Sequence, residues 1–160
     1  MSAEPGQYVT LGLGAEVFAV PVAMVREILD YRDAFAIPDG PAWLCGLIDV
    51  RGRGTPVIDL RTKLGLKRID PTAATRILVL DVPFEGRTLS LGLVADRVLE
   101  VASFLAHEIE GPPDVGVSWR SEYIAGVVHR NNGFVVLFDV AHLITAADAA
   151  ALANSTEKAA

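Results

Sequence analysis

The sequence predicts an all-β protein: two small barrels packed together, grown from a duplicated unit and ended by a C-terminal helix. Three observations carry this. First, a motif occurs twice, 80 residues apart: residues 43–64 read WLCGLIDVRGRGTPVIDLRTKL and residues 123–144 read YIAGVVHRNNGFVVLFDVAHLI. In each copy an aromatic (Trp43, Tyr123) precedes a Gly (Gly46, Gly126), and an Asp (Asp59, Asp139) follows the Gly by 13 residues. A unit repeated in this way points to a duplicated architecture. Second, residues 18–28, FAVPVAMVREI, match residues 91–101, LGLVADRVLEV, at an offset of 73, which aligns Val25 and Glu27 with Val98 and Glu100. Third, only about 10–14 residues separate successive turn signals, too few for the crossover helices of a βαβ sheet.

The elements follow in order. Val9, Leu11 and Leu13 alternate, Gly14-Ala15-Glu16 turns the chain, and residues 17–20 return as the second arm of a hairpin. Pro21 ends that arm or opens a short helical turn over 22–25. Residues 27–31 read as a strand, followed by an irregular stretch with Pro38, Gly40 and Pro41. Residues 44–50 and 56–58 pair around Gly52-Arg53-Gly54. Asp59 stands where an N-cap belongs, before a short helix over 60–64 that Gly65 stops. Residues 77–82 form a continuous apolar run, as in a strand buried on both faces. Glu85-Gly86 is a turn, Leu89, Leu91 and Leu93 alternate, and 98–104 is a further strand. The longer connection before the second motif places a loop around Gly111, Pro112, Pro113 and Gly116. Residues 124–129 and 134–138 make the second hairpin, turned at Asn132-Gly133. From Asp139 the period changes: Val140, Leu143, Ile144, Ala147 and Ala151 share a helical face, so a helix to about Leu152 is expected. Residues 1–7 should be flexible, 8–153 one domain of two interleaved halves, and 154–160 a frayed tail.

Charge and composition exclude several classes. A chain of 160 residues can bury a core without staples. A net charge of −6 argues against nucleic-acid binding, which needs a basic stripe. The one basic cluster, Arg51, Arg53, Arg61, Lys63, Lys67 and Arg68, contains Asp49 and Asp59, and reads as a solvated face or a protein-binding edge. The single cysteine, Cys45, lies in an apolar run, so it is expected to be buried and structural, in a reducing compartment. The start MSAEPGQ has neither a basic n-region nor an apolar h-region, and no apolar stretch reaches a membrane span. A soluble, cytoplasmic protein is expected, with no direct membrane insertion.

Catalytic signatures are weak. His107, His129 and His142 lack metal-ligand spacing, no GxSxG elbow frames a nucleophile, and no phosphate loop is present. Gly12-Leu13-Gly14 lacks the third glycine of a dinucleotide loop and reads as a hairpin turn. Asp59 and Asp139 read as caps rather than paired carboxylates. Asp96 and Glu100 carry no specific signal. No cofactor or metal is expected. Arg51, in the Asp49-Val50-Arg51-Gly52 turn, has two readings: a solvated turn residue, or an interface guanidinium between apolar neighbours.

Taken together, FAVPVAMVREIL, GLIDVRGRGTPVIDLRTKLGL, RILVL, LGLVADRVLEV, Pro112-Pro113 and YIAGVV through LFDVAHLI resemble CheW, the adaptor that couples bacterial chemoreceptors to the histidine kinase CheA. The resemblance covers about residues 7–145. It implies two five-stranded SH3-like β-barrels around a hydrophobic centre, and no enzymatic activity. It implies that the cytoplasmic tip of a receptor lies between the barrels, against Val25, Glu27, Gly46, Arg51, Val98 and Val101, and that the regulatory domain of a CheA-type kinase docks on exposed barrel ends. The protein would then be recruited to membrane-associated receptor arrays. Asp49 departs from the Asn common before this turn; a pairing with Arg51 or Arg53 would alter partner choice. The same domain also occurs in CheA and CheV-type proteins; no kinase core precedes it here and no receiver follows, so a stand-alone adaptor is the expectation. Rivals are an adaptor of a pilus, gliding or other non-flagellar array, and a small-barrel enzyme or ligand-binding protein.

Overall fold

Short apolar segments separated by left-handed turn residues give strands joined by tight hairpins. The computed structural model describes residues 4–111, 123–130 and 133–144. Within them run β1 (Gly6–Leu13), β2 (Glu16–Pro21), a 3-10 turn (Val22–Met24), β3 (Val25–Asp30), β4 (Leu44–Val50), β5 (Arg53–Asp59), α1 (Leu60–Lys63), β6 (Arg76–Phe84), β7 (Arg87–Ala95), β8 (Arg97–Phe104), a second 3-10 turn (Ala106–Glu108), β9 (Ile109–Glu110), β10 (Ile124–Arg130), β11 (Gly133–Phe138) and α2 (Val140–Leu143). The expected continuation of the last helix to Leu152, the Pro112-Pro113 loop, Asn131 and Asn132 of the second motif's turn, and the 154–160 tail lie outside the described residues. The first motif turns at Arg51-Gly52, both at positive φ (53° and 82°), so β5 starts three residues earlier than the apolar run suggests. Two adjacent left-handed residues make the turn whose twist matches a hairpin.

Two sheets result. One has the order β8-β1-β2-β11-β10-β9 and the other β3-β6-β7-β5-β4. The five strands expected of each barrel are present, and the first sheet carries a sixth. That strand, β9, pairs only Glu110 and Ile109 with β10, too short a run to leave a pattern in the sequence.

The repeats are exchanged between the sheets. The β1–β2 hairpin belongs to the first repeat but pairs with β8 and, in parallel, with β11 of the second. The β6–β7 hairpin belongs to the second repeat but pairs with β3 and, in parallel, with β5 of the first. Registers repeat as well. Val25 faces Leu80, which faces Leu91; Val98 faces Leu11, which faces Phe18. Bulges recur at Cys45 and Ala125, between Leu44/Gly46 and Ile124/Gly126. The motif spacing now has a cause: the Asp59 amide donates to the Trp43 carbonyl (2.8 Å), and the Asp139 amide donates to that of Tyr123 (2.9 Å).

Each sheet curls until its edges meet. Phe35, beyond β3, exchanges both backbone hydrogen bonds with Leu47 of β4 (2.7 and 2.9 Å). On the other sheet, Arg130 of β10 donates to the Ser103 carbonyl of β8 and pairs with Glu108 (both 3.3 Å). Inside the curls sit two small apolar clusters, around Tyr8, Phe104 and Leu137 in one and Ile48, Ile77 and Val79 in the other. Between the sheets lies the main core, which draws Leu11, Phe18 and Phe138 from one and Ile58, Leu80 and Leu93 from the other, with Leu60 and Leu143 of the helices. Strand β6 is buried on both faces, as its unbroken apolar run requires: Ile77, Leu78, Val79 and Leu80 are all inaccessible.

Neither repeat contains a complete sheet. Cutting the exposed loop between Asp70 and Pro71 should therefore give two fragments, 1–70 and 71–160, that unfold without a cooperative transition when alone. Mixed at equal concentration they should recover one, followed by circular dichroism during heating. A cooperative transition in either isolated fragment would show that the exchange is not required for folding.

Candidate partner-binding site

Only two segments carry the described chain from one sheet to the other. The Val22–Met24 turn leads from β2 to β3, and Asp96 leads from β7 to β8. Val25 opens the strand after the first crossing and Val98 lies just inside the strand after the second. Both are partly buried and pack against the shared core. The duplication thus sets two valines in equivalent registers, each beside a crossing.

Glu27 and Arg51 are brought together. Glu27 projects from β3, and Arg51 stands at the tip of the β4–β5 hairpin, on opposite edges of one sheet. Curling closes them to an ion pair, Arg51 Nε donating to Glu27 Oε2 at 3.1 Å. The Arg51 side chain stays 76% exposed and that of Glu27 24%. An ion pair this open contributes at most about 1 kcal/mol; its effect is to hold the guanidinium over the closed edge. Asp49 pairs with neither Arg51 nor Arg53. Its Oδ1 accepts from the Gly52 amide (2.7 Å), folding back into its own turn, while its carbonyl accepts from Arg32 (2.7 Å).

The other expected site residues differ in kind. Gly46 is buried, at φ 140°, and a Cβ there would strike the Phe35 carbonyl and carbon, so this position serves the close approach of two backbones. Val101 is 59% exposed, with Leu99 at 45% beside it on the same edge strand. The bulge between Val98 and Val101 is filled by Thr10, whose Oγ1 donates to the Glu100 carbonyl and accepts from the Glu100 amide.

Cys45 is half-buried rather than enclosed, because it is the bulge residue of β4 and leaves the strand's alternation. It lines a cavity of about 170 Å³ with Tyr31, Asp59, Arg68, Ile69 and Thr75. Burial, and then the Asp59 charge, push its thiol pKa up; Arg68 opposes this. A thiol held protonated is a poor nucleophile. Asp59 sits at the N-cap position of α1 without bonding its backbone. Its Oδ2 instead accepts from the Thr62 hydroxyl (2.8 Å) and Arg68 (3.1 Å). Asp139 does cap α2, accepting from the His142 amide at 3.2 Å. Among the described residues no group of three His, Cys, Asp or Glu could hold a metal ion, and no helix is long and apolar enough to cross a membrane.

The basic cluster is largely consumed by pairing. Lys63 lies over the Trp43 ring (4.7 Å), Arg68 binds Asp59, and Arg61 grips Asp96 with two prongs at 3.0 and 2.6 Å. Sequence reasoning passed over Asp96. Its carboxylate also accepts from the Gly14 amide (2.6 Å). The Arg61 hydrogen bonds, against the opposing effect of burial, hold its pKa below the ordinary carboxylate value.

Two outcomes follow. Gly46→Ala should lower stability by about 1–3 kcal/mol, read by denaturant unfolding, because both its φ and its space exclude a side chain. For Asp96, a depressed native pKa means stability that is present above the unfolded-state value and lost as pH falls through the native one. The melting-temperature gap between the wild type and Asp96→Asn should therefore be full at neutral pH and close below about pH 4. A gap independent of pH would contradict the ionised pair.

Residues 7–148 match the family model described as CheW-like domain. Among curated relatives, the chemotaxis protein CheW of Treponema pallidum (strain Nichols) is 28% identical over 94% of this chain and 89% of its own length. The chemotaxis protein CheW of Bacillus subtilis (strain 168) is 30% identical over 76% of each. Protein PilI of Pseudomonas aeruginosa is 28% identical over 78% of this chain and 67% of its own length. Among solved structures, the crystal structure of scaffolding protein TtCheW from Thermoanaerobacter tengcongensis superposes with a TM-score of 0.78, covering 91% of this chain and 92% of that one, at 24% identity. That likeness extends to the fold: strand-rich, in two curled sheets. On the family match over nearly its whole length, the chain belongs to the CheW-like domain family.

Proposed function

We propose that the chain is a non-enzymatic scaffold that holds the cytoplasmic tip of a chemoreceptor against the junction of its two sheets and a CheA-type histidine kinase on an exposed barrel end. The observation that supports this best is the matched placement of Val25 and Val98. They occupy equivalent registers beside the two chain crossings and pack against one shared core while keeping part of their surface accessible. A helical hairpin laid at that junction buries apolar side chains in the helix-in-groove mode. The exposed Arg51 guanidinium, steered by Glu27, supplies a directed polar contact at the rim, and Val101 extends the apolar edge. Gly46 acts by shaping the backbone beneath. Recruitment to membrane-associated receptor arrays follows from the receptor contact. A scaffold of this kind transmits a signal only if its contacts differ in free energy between the kinase's states.

The test is binding of a purified receptor-tip fragment and of the kinase's regulatory domain, measured separately by calorimetry. Val25→Ala and Val98→Ala each remove part of a buried contact. Each should weaken receptor binding by about 1–2 kcal/mol, or roughly five- to thirty-fold, with kinase binding close to wild type. Arg51→Glu should abolish or strongly weaken partner binding while the fold is kept, stability falling by only about 1 kcal/mol as the open ion pair with Glu27 is lost. Equal losses for both partners would mean that the valine variants disturb the fold. No loss for the receptor would remove the junction from the binding site. Which kinase co-purifies from lysate separates a flagellar from a non-flagellar array.

A further inference from the structure

The two chain crossings are matched by the duplication but held by opposite chemistry. At the second, Asp96 is fixed from both sides. Arg61 of α1, on one sheet, donates to both its oxygens, and the Gly14 amide, in the β1–β2 turn of the other sheet, donates to Oδ2. The Asp96 amide donates to the Gly12 carbonyl (3.0 Å), and Arg97 Nη1 donates to the Gly14 carbonyl (2.8 Å). Arg97 lies so close over Gly12 that a Cβ there would strike its guanidinium. The pair is largely shielded, with side chains 15% and 16% exposed.

The offsets of 80 and 73 place Ala141 opposite Arg61, Ala23 opposite Asp96 and Met24 opposite Arg97. Ala141, Met24 and Val22 pack against the shared core as apolar groups. Charge-assisted hydrogen bonds fix direction and distance; apolar contact is non-directional and tolerates sliding. We propose that Asp96, clamped by Arg61 and Gly14, is a pivot about which the two barrels turn, and that the Val22–Met24 crossing is the compliant side. Motion then concentrates next to Val25 and is smallest next to Val98. Its use in binding rests on the junction reading above; the pivot itself does not.

The experiment needs no partner. In full-length Cys45→Ser protein, nitroxides at Gln7→Cys on β1 and Thr88→Cys on β7, both exposed positions on different sheets, report the inter-barrel distance by pulsed electron resonance. Arg61→Gln should broaden that distance distribution and speed exchange of the Gly14 amide about tenfold or more, with a folded spectrum retained. Arg61→Lys, which keeps the charge but not the two-pronged grip, should do the same more weakly. Transplanting the pair as Ala23→Asp with Ala141→Arg should narrow the distribution and leave Gly14 exchange unchanged. An unaltered distribution in Arg61→Gln overturns the pivot. Unfolding of both Arg61 variants overturns it too, since the pair would then hold the fold rather than orient its parts. A transplant that folds without narrowing overturns the assignment of the compliant side.

Discussion

The exchange of hairpins between repeats is the constraint from which the rest of the structure follows. Because β1–β2 completes its sheet only with strands of the second repeat, and β6–β7 only with strands of the first, the chain must cross between sheets twice. Those crossings force the sheets face to face and bury the faces they turn to one another. The shared core is consequently larger than either barrel interior, and it draws residues from both repeats. The ladders that join the hairpins, β1 with β8, β2 with β11, β3 with β6 and β5 with β7, are non-local for the same reason, which predicts slow folding relative to a helical bundle of this size. The accessible flanks of the crossings are the places where the two repeats' surfaces meet. Val25 and Val98 are there because each lies at the start of the strand that follows a crossing.

Local regularities were legible in the sequence, and their failures have a single kind of cause. The duplication, the fold class, the double burial of β6 and the Asp139 cap could all be read from spacing and alternation, since each depends on neighbours close in the chain. Cys45 could not. A bulge breaks the alternation at that residue, and a bulge is visible only once the partner strand is known; the matching shift at Ala125 was the available hint. Asp59 looked like a cap because its position is right, yet its oxygen is taken by Thr62 and by Arg68, nine residues on. The Glu27–Arg51 pair depends on a sheet closing on itself, and neither residue announces the other. The resemblance to a known family set both in one site without saying that they touch. The arginines two and four residues on offer themselves as partners of Asp49, while the backbone amide of Gly52 claims it.

Arg61 and Asp96 show the same limit more sharply. One was counted into a basic cluster and the other set aside, because a charge read in sequence is attributed to its neighbours. Thirty-five residues separate them, and the link exists only where α1 of one sheet meets the crossing to the other. The comparison that would have exposed them is the one between repeats. Where two halves share a frame, the positions at which one carries charge and the other alanine are where the symmetry has been broken for a reason.

That broken symmetry has a physical consequence for any scaffold built this way. Two identical clamps would make the barrels one rigid body, and a ligand could then change affinity elsewhere only through contacts it makes itself. Two apolar crossings would leave the relative orientation weakly defined, and binding would have to supply the cost of ordering it. One directional clamp and one sliding contact restrict the motion to a single hinge-like coordinate. A partner seated beside Val25 can shift that coordinate, and a partner on a barrel end can sense it, provided each binds its orientations with different free energy. The coupling available is bounded by that difference, so the junction does not need strong contacts to act. It needs contacts that change as the barrels turn, and only a partner spanning both, from Val25 on one sheet to Val98 on the other, would make them.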